Sequence, residues 1–363
     1  MDIRIEGIDQ NFAEKAVRRQ RQLAKPYGAL GILESIATRV AAIRRTLFPR
    51  LKGGMGLVVF AADHGVFEEG VTSISQEMTA LYAGNIAEGR DSISVLCQQA
   101  DTKVTVVDMG MVHNASYATI HIRDKSIRQG SANIAHGPAM SEEECHQAMR
   151  TGAQLAENCV AQGLVMLGGI DIGVGNSTIA GAVLSVLLGE APEDMVNVCA
   201  ETSREELPAK ISAVYRALEN NTCTANEPFE VLRCLGGFSM AALVGFYIRA
   251  AQLRCVVMLD GYVNVVAALV ACRLAPQLKG YLLLSHRNDE KGFDLAMQEM
   301  QLEPIFDFGM LLDVGVSCPL AFNMVEAAVR ALRDTATYEE LSIENAAFVN
   351  RWRYYNEHTS NEE

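Results

Sequence analysis

Hydrophobic and polar positions follow two distinct rhythms along the chain. Five short runs rich in Val, Ile and Leu, at residues 55–61, 104–107, 164–168, 255–259 and 281–284, are almost continuously apolar. Runs of that length suit strands buried on both faces, as in a parallel sheet covered by helices. Segments of helical period follow them, which predicts right-handed βαβ units and an α/β fold on a parallel, Rossmann-like sheet flanked by helices. The strand tips carry Asp63-His64-Gly65, Asp108-Met109-Gly110, Asp171-Ile172-Gly173, Asp260-Gly261-Tyr262 and Ser285-His286. Open α/β sheets bind ligands outside the carboxyl ends of their strands, so a site is expected among these five tips.

The two ends of the chain read differently. Residues 11–24 and 28–49 have helical period, the second with Ala29, Leu30, Ile32, Leu33, Ile36 and Val40 on one stripe, and residues 319–332 read as another helix. These ends are expected to form a small helical lobe, residues 1–50 plus 311–363, beside an α/β body at residues 51–310. Residues 351–363 are polar and read as a loose tail. Within the body, Ser141 and Glu144 spell a capping box that starts a helix through about residue 159. Gly236-Gly237 opens another helix, through residue 251. No internal repeat and no low-complexity linker interrupts the pattern.

Composition narrows the partners. The 363 residues hold 31 Lys+Arg against 44 Asp+Glu, a formal charge of −13, and 49% are hydrophobic, so the chain buries a sizeable core. Such an acidic chain lacks the basic footprint of a nucleic-acid binder, although local donors can still hold a small anion. The nine cysteines never form C-x-x-C and sit mostly in apolar stretches. They read as reduced core thiols of a cytoplasmic protein, not a disulfide frame or zinc site, and no metal is expected. No apolar segment follows Met1 as in a signal peptide, and the charge-free residues 172–189 contain Gly, Asn, Ser and Thr, so no membrane partner is expected.

The most specific local signal is Gly173-Val174-Gly175-Asn176-Ser177-Thr178, directly after a strand and before an apolar helix at residues 179–188. Small residues let the backbone curl close to a ligand, and a helix N-terminus offers N–H groups and a positive dipole end to a phosphate. The same residues also suit a tight turn with Asn176 or Ser177 as N-cap. Neither a Walker A loop nor a G-x-G-x-x-G fingerprint is present, which speaks against ATP and dinucleotides. Lys210, early in a helix, suits either a phosphate partner or a solvated face. Polar residues 285–290 crowd the presumed binding edge, but Ser285 and His286 are neighbours on an extended chain and point to opposite sides. Asp63-His64-Gly65 is too short for a metal site.

Taken in order, these segments resemble the nicotinate-nucleotide:dimethylbenzimidazole phosphoribosyltransferase family, which acts in cobamide lower-ligand assembly. The matching segments are Lys25-Pro-Tyr-Gly-Ala-Leu-Gly-Ile-Leu-Glu34, Ala62-Asp-His-Gly-Val66, Gly130-Ser-Ala-Asn133, Gly137-Pro-Ala-Met140, Gly173-Val-Gly-Asn-Ser-Thr178, Leu259-Asp-Gly-Tyr262 and Ser285-His286. The resemblance implies transfer of 5-phosphoribosyl from nicotinate mononucleotide to an aromatic acceptor, releasing nicotinate. The leaving group departs from a positively charged pyridinium, so no cofactor is called for. What is needed is a phosphate anchor, an aromatic pocket, a proton acceptor and tolerance of an oxocarbenium-like transition state. By resemblance, Gly173, Gly175, Asn176, Ser177, Lys210 and Ser285 hold phosphate and ribose, and Ser73 falls at the aromatic pocket.

The chain also departs from the family pattern. The family's presumed base, a glutamate in an R-L-G-E-G-T-G-like loop, aligns with Val314, next to Asp313. A second family glutamate becomes Asp171, a pocket glutamine becomes Leu81, a further acid becomes Ser239, and a glycine-rich loop is replaced by residues 200–205. Asp171 and Asp313 are therefore the candidate bases, with Leu81 and Val314 in a more apolar acceptor pocket. Three readings follow: the catalytically degenerate subunit of a heterodimer with a homologue, as in the family variant that activates phenol or p-cresol; a self-sufficient divergent transferase, with the family's homodimer; or a nucleotide-binding regulatory protein.

Overall fold

The computed structural model describes residues 2–113, 121–196, 203–288, 290–312 and 315–342. The chain opens with α1 (Gln10–Gln22), α2 (Ile32–Arg44), β1 (Met55–Ala62), α3 (Glu77–Ala87), α4 (Ser92–Gln99), β2 (Thr102–Gly110) and β3 (Ile122–Asp124). It continues through α5 (Glu142–Ala161), β4 (Met166–Ile172), α6 (Asn176–Leu188), α7 (Pro192–Met195), α8 (Leu207–Asn220), α9 (Pro228–Leu235) and α10 (Phe238–Gln252). Then come β5 (Val256–Leu259), α11 (Tyr262–Leu274), β6 (Leu282–His286), α12 (Lys291–Met300), β7 (Pro304–Phe306) and α13 (Cys318–Asp334). Two compact units result, one of Met1–Gly7 with Lys52–Phe322, the other of Ile8–Leu51 with Asn323–Glu363.

The larger unit is the expected α/β body, with seven strands, all parallel, in the order β3-β2-β1-β4-β5-β6-β7. All residues of β1 and β4 are buried, which is why their sequences run apolar without alternation. The five apolar runs mark β1, β2, β4, β5 and β6, of which β2, β4 and β6 extend furthest beyond them. In β4 the ladder with β1 reaches Ile172, so Asp171, opposite Phe60, lies inside the strand. The three-residue edge strands β3 and β7 have no apolar run to announce them. From β1 the chain builds outward to β2 and β3, and from β4 outward in the opposite direction. The order therefore reverses between β1 and β4, and their carboxyl ends splay open to form a crevice.

On one face of the sheet α5 packs against α10. The capping box is present at the start of α5, with Ser141 accepting from Glu144 N and the Glu144 side chain from Ser141 N. Gly152 of α5 and Gly245 of α10 sit where the helices touch, and a Cβ on either would overlap the other helix's backbone carbonyl. Gly152→Ala is expected to cost about 3 kcal/mol of stability, the range of an overpacked core, read as a lower denaturant midpoint at unchanged slope. An unchanged midpoint would show that the helices separate freely.

In the smaller unit α2 begins at Ile32, four residues later than the start at residue 28 expected from the sequence. Glu34 is the cause: its carboxylate accepts from Gly28 N at 3.0 Å, Leu30 N at 3.2 Å and Lys25 Nζ at 2.5 Å. These bonds curl residues 25–31 into turns, and Leu30 is exposed. Gln20 Nε2 donates to the Glu34 carbonyl at 2.7 Å, and Leu23 pairs with Thr337 in an antiparallel bridge.

Candidate active site

The crevice between β1 and β4 holds a pocket with two chemically different sides. One side is the turn from β4 into α6. Gly173 passes so close to β1 that a Cβ would overlap the Ala62 carbonyl oxygen, and Gly175 has φ 93°, a left-handed conformation that favours glycine. Gly175 is the N-cap of α6, with no side chain capping the helix. That corrects the expectation of Asn176 or Ser177 as cap, and both side chains are used elsewhere. Asn176 Nδ2 donates to Asp171 Oδ1 at 2.9 Å, and Lys210 Nζ donates to Ser177 Oγ at 2.9 Å. Lys210 is only 3% exposed, so it is no surface lysine. The first turn of α6 and the Lys210 ammonium together suit an anion.

The other side is apolar. Met78, Tyr82 and Ile86 repeat every four residues along α3 and line the pocket with Ile74, Ile93 and Leu312. Thr79 on the same helix ties the two sides together: its hydroxyl donates to Asp63 Oδ1 at 2.6 Å and accepts from Val174 N at 3.2 Å. Asp63 Oδ2 accepts from Val112 N at 2.8 Å. Burial raises the Asp63 carboxyl above its usual range against these bonds. Neighbouring His64 is fully buried behind the loop, and burial pushes its imidazole down to about 3.

The residues singled out from the sequence divide into groups. Gly173, Gly175, Asn176, Ser177 and Lys210 meet at the pocket, with Asp171 beneath Asn176. Leu81 is not among the lining residues. It lies off the 78/82/86 stripe and is partly exposed. Ser73 is flanked by the lining residues Thr72 and Ile74, and its amide donates to Glu206 Oε1 at 2.6 Å. That bond and one from Ser203 N hold the Glu206 carboxyl down at about 2. Ser285 is buried in β6, donating to the Leu259 carbonyl at 2.8 Å and accepting from Ser317 Oγ at 2.7 Å. Ser239 is buried in α10. Asp313, Val314 and residues 200–202 lie outside the described residues.

The other tip carboxylates clamp backbone. Asp108 accepts from Gly110 N and Met111 N, and Asp260 from Ser317 N and Cys318 N. Among the described residues no group of His, Cys, Asp and Glu is placed to hold a metal ion, and no helix is long and apolar enough to cross a membrane.

Glu290, at the N-cap of α12, is a titratable group the sequence did not separate from its polar neighbours. Burial pushes its carboxyl up to about 7, while the Lys210 ammonium pulls the other way. A carboxyl held higher in the folded than in the unfolded state favours the fold when protonated, so its contribution falls as pH rises from about 4 through about 7. Glu290→Gln has no charge to bury. Its Tm relative to wild type is expected to rise by a few degrees between pH 5 and pH 8, and a flat difference would show that Glu290 is solvated.

The family model for phosphoribosyltransferases matches residues 5–343. The nicotinate-nucleotide:dimethylbenzimidazole phosphoribosyltransferase of Geobacter metallireducens is 34% identical over 340 residues, 94% of this chain and 96% of that protein. The enzyme of the same name from Syntrophobacter fumaroxidans is 36% identical over 341 residues, again 94% and 96%. The crystal structure of the Thermus thermophilus enzyme superposes with a TM-score of 0.87 at 34% identity, covering 93% of this chain and 99% of that one. At this identity and coverage, the chain belongs to the nicotinate-nucleotide:dimethylbenzimidazole phosphoribosyltransferase family of pentosyltransferases.

Proposed function

We propose that this chain moves a 5-phosphoribosyl group from nicotinate mononucleotide to a flat aromatic acceptor, a benzimidazole or a phenol such as p-cresol, for the lower ligand of a cobamide. The observation that carries this reading is the meeting of an anion-accepting side, at Ser177 and Lys210, with an apolar side, at Met78, Tyr82 and Ile86. A nucleotide phosphate fits the first and an aromatic ring the second, which puts the ribose between them.

In the reaction the bond from the ribose anomeric carbon to the pyridinium nitrogen breaks, and its electron pair neutralises the departing nicotinate. The acceptor's nitrogen or oxygen forms the new bond and loses its proton. Asp171, at the carboxyl end of β4 and hydrogen-bonded to the lining residue Asn176, takes that proton in this reading. Ser73 and Ser285 stand in this reading as supports, the first through Glu206 and the second through Ser317.

A second reading rests on Val314, which by the sequence resemblance stands where the family has a glutamate: the chain is the degenerate member of a heterodimer, and a homologous subunit supplies the base. Nicotinate release separates the two. Turnover by the purified chain with dimethylbenzimidazole, phenol or p-cresol supports the self-sufficient enzyme, and turnover only after mixing with a homologue supports the heterodimer. No release in either arm, with binding of the mononucleotide alone, leaves the regulatory reading. In whichever arm is active, Lys210→Met is expected to raise the KM for nicotinate mononucleotide about tenfold or more, through loss of a charge-assisted contact. If Asp171 is the base, Asp171→Asn lowers kcat by about 10² to 10⁴ with little change in that KM.

A further inference from the structure

The Ser285-His286 pair ends β6, and as neighbours on a strand the two side chains serve different partners. Ser285 Oγ accepts from Ser317 Oγ at 2.7 Å. His286 instead meets the segment that follows β7. Its Nε2 accepts from Phe308 N at 2.8 Å and from Met310 N at 3.4 Å. Adjacent residues of β6 thus hold the chain at 308–310 and again at 317. An amide can donate only to an unprotonated ring nitrogen, so these bonds place the proton of the neutral imidazole on Nδ1. Asp307 Oδ1 lies 3.6 Å from Nε2, beyond hydrogen-bond reach, and accepts from Gly309 N at 3.1 Å.

The imidazole is a fixed post. His286 is buried, pairs with Phe306 in the ladder between β6 and β7, and packs edge-on against that ring at 5.6 Å. The segment it holds has few other anchors. Phe308 stacks on Phe306 at 4.4 Å, but Phe308, Leu311 and Leu312 are all exposed, so burial contributes little to fixing them. The chain then reaches the pocket at Leu312, which joins Met78, Tyr82 and Ile86 in its lining. Among the described lining residues, Leu312 alone comes from the chain after α8.

We propose that His286 is a positioning residue of the transferase site: by accepting from Phe308 N and Met310 N it holds Leu312 at the apolar side, and so sets how tightly an aromatic acceptor is gripped. This rests on the function proposed above. His286 is not a lining residue and acts through the backbone of residues 308–310. Without its lone pair the two amides turn to water, and the segment gains freedom just before Leu312. The anion side, at Ser177 and Lys210, is built from α6 and α8 and keeps its geometry.

Hydrogen exchange on the full chain without ligand reads the hold directly. The Phe308 amide is expected to be protected in the wild type and to exchange about tenfold faster in His286→Leu, which keeps the bulk and removes the lone pair. His286→Gln, whose amide oxygen takes the place of Nε2, is expected to regain the protection. Binding reads the pocket. The Kd for dimethylbenzimidazole is expected to rise about tenfold in His286→Leu and to return toward wild type in His286→Gln, with the Kd for nicotinate mononucleotide unchanged in both. Leu312→Ser, at an exposed position, is expected to weaken dimethylbenzimidazole to a similar extent. A Phe308 amide that exchanges at the free-peptide rate in the wild type overturns the proposal without any variant. Equal weakening of both ligands in His286→Leu also overturns it, as general loss of structure, and so does an unchanged dimethylbenzimidazole Kd in Leu312→Ser. A wild type that binds neither ligand overturns the proposed function and with it the role in acceptor binding, and a protected Phe308 amide then separates that failure from a failure of the hold.

Discussion

The reversal of strand order between β1 and β4 is the constraint on which the rest of the site depends. Two adjacent parallel strands whose following connections run to opposite sides leave their carboxyl ends uncovered, and the chain must turn there within van der Waals contact of its neighbour. Gly173 meets that demand against the Ala62 carbonyl, and Gly175 turns the backbone into α6. Because the cap is a glycine, no side chain occupies the start of the helix. Asn176 and Ser177 are left to organise Asp171 and Lys210. Thr79 then fixes α3 to the same loop, so the apolar side is set by the turn that makes the polar one.

This arrangement reconciles a formal charge of −13 with the anion site proposed above. Attraction for an anion here comes from peptide dipoles and one buried ammonium, both local and poorly screened, and net charge acts only over longer distances. Three of the carboxylates near the strand tips are engaged elsewhere. Asp63, Asp108 and Asp260 are turned onto backbone amides or hydroxyls, where they hold loops in place. Glu290 is an acid that feels the Lys210 charge, and burial raises its carboxyl toward neutrality.

The departures from the family pattern fall unevenly on this frame. The β4–α6 turn matches the family motif, while the changes fall on Asp171, Leu81, Ser239, Val314 and residues 200–205. Leu81 sits off the lining stripe of α3, and the apolar lining on that helix is supplied by Met78, Tyr82 and Ile86. An apolar lining built from one helix stripe can change by side-chain replacement without disturbing the glycine turn.

The sequence by itself determined the parallel α/β body and the helical ends, because strands buried on both faces must be apolar throughout and amphipathic helices must repeat every 3.6 residues. It also marked the glycine turn, since few other residues can pass that close to a neighbouring strand. Tertiary structure alone decided the roles of single side chains. Whether Lys210 is solvated or buried, whether Asp63 clamps or reacts, and whether Leu81 or Tyr82 faces the pocket depend on elements far apart in sequence. The short edge strands β3 and β7 and the late start of α2 escaped for a related reason. Their causes are pairing at a sheet edge and the carboxylate of Glu34, and neither leaves a periodic trace.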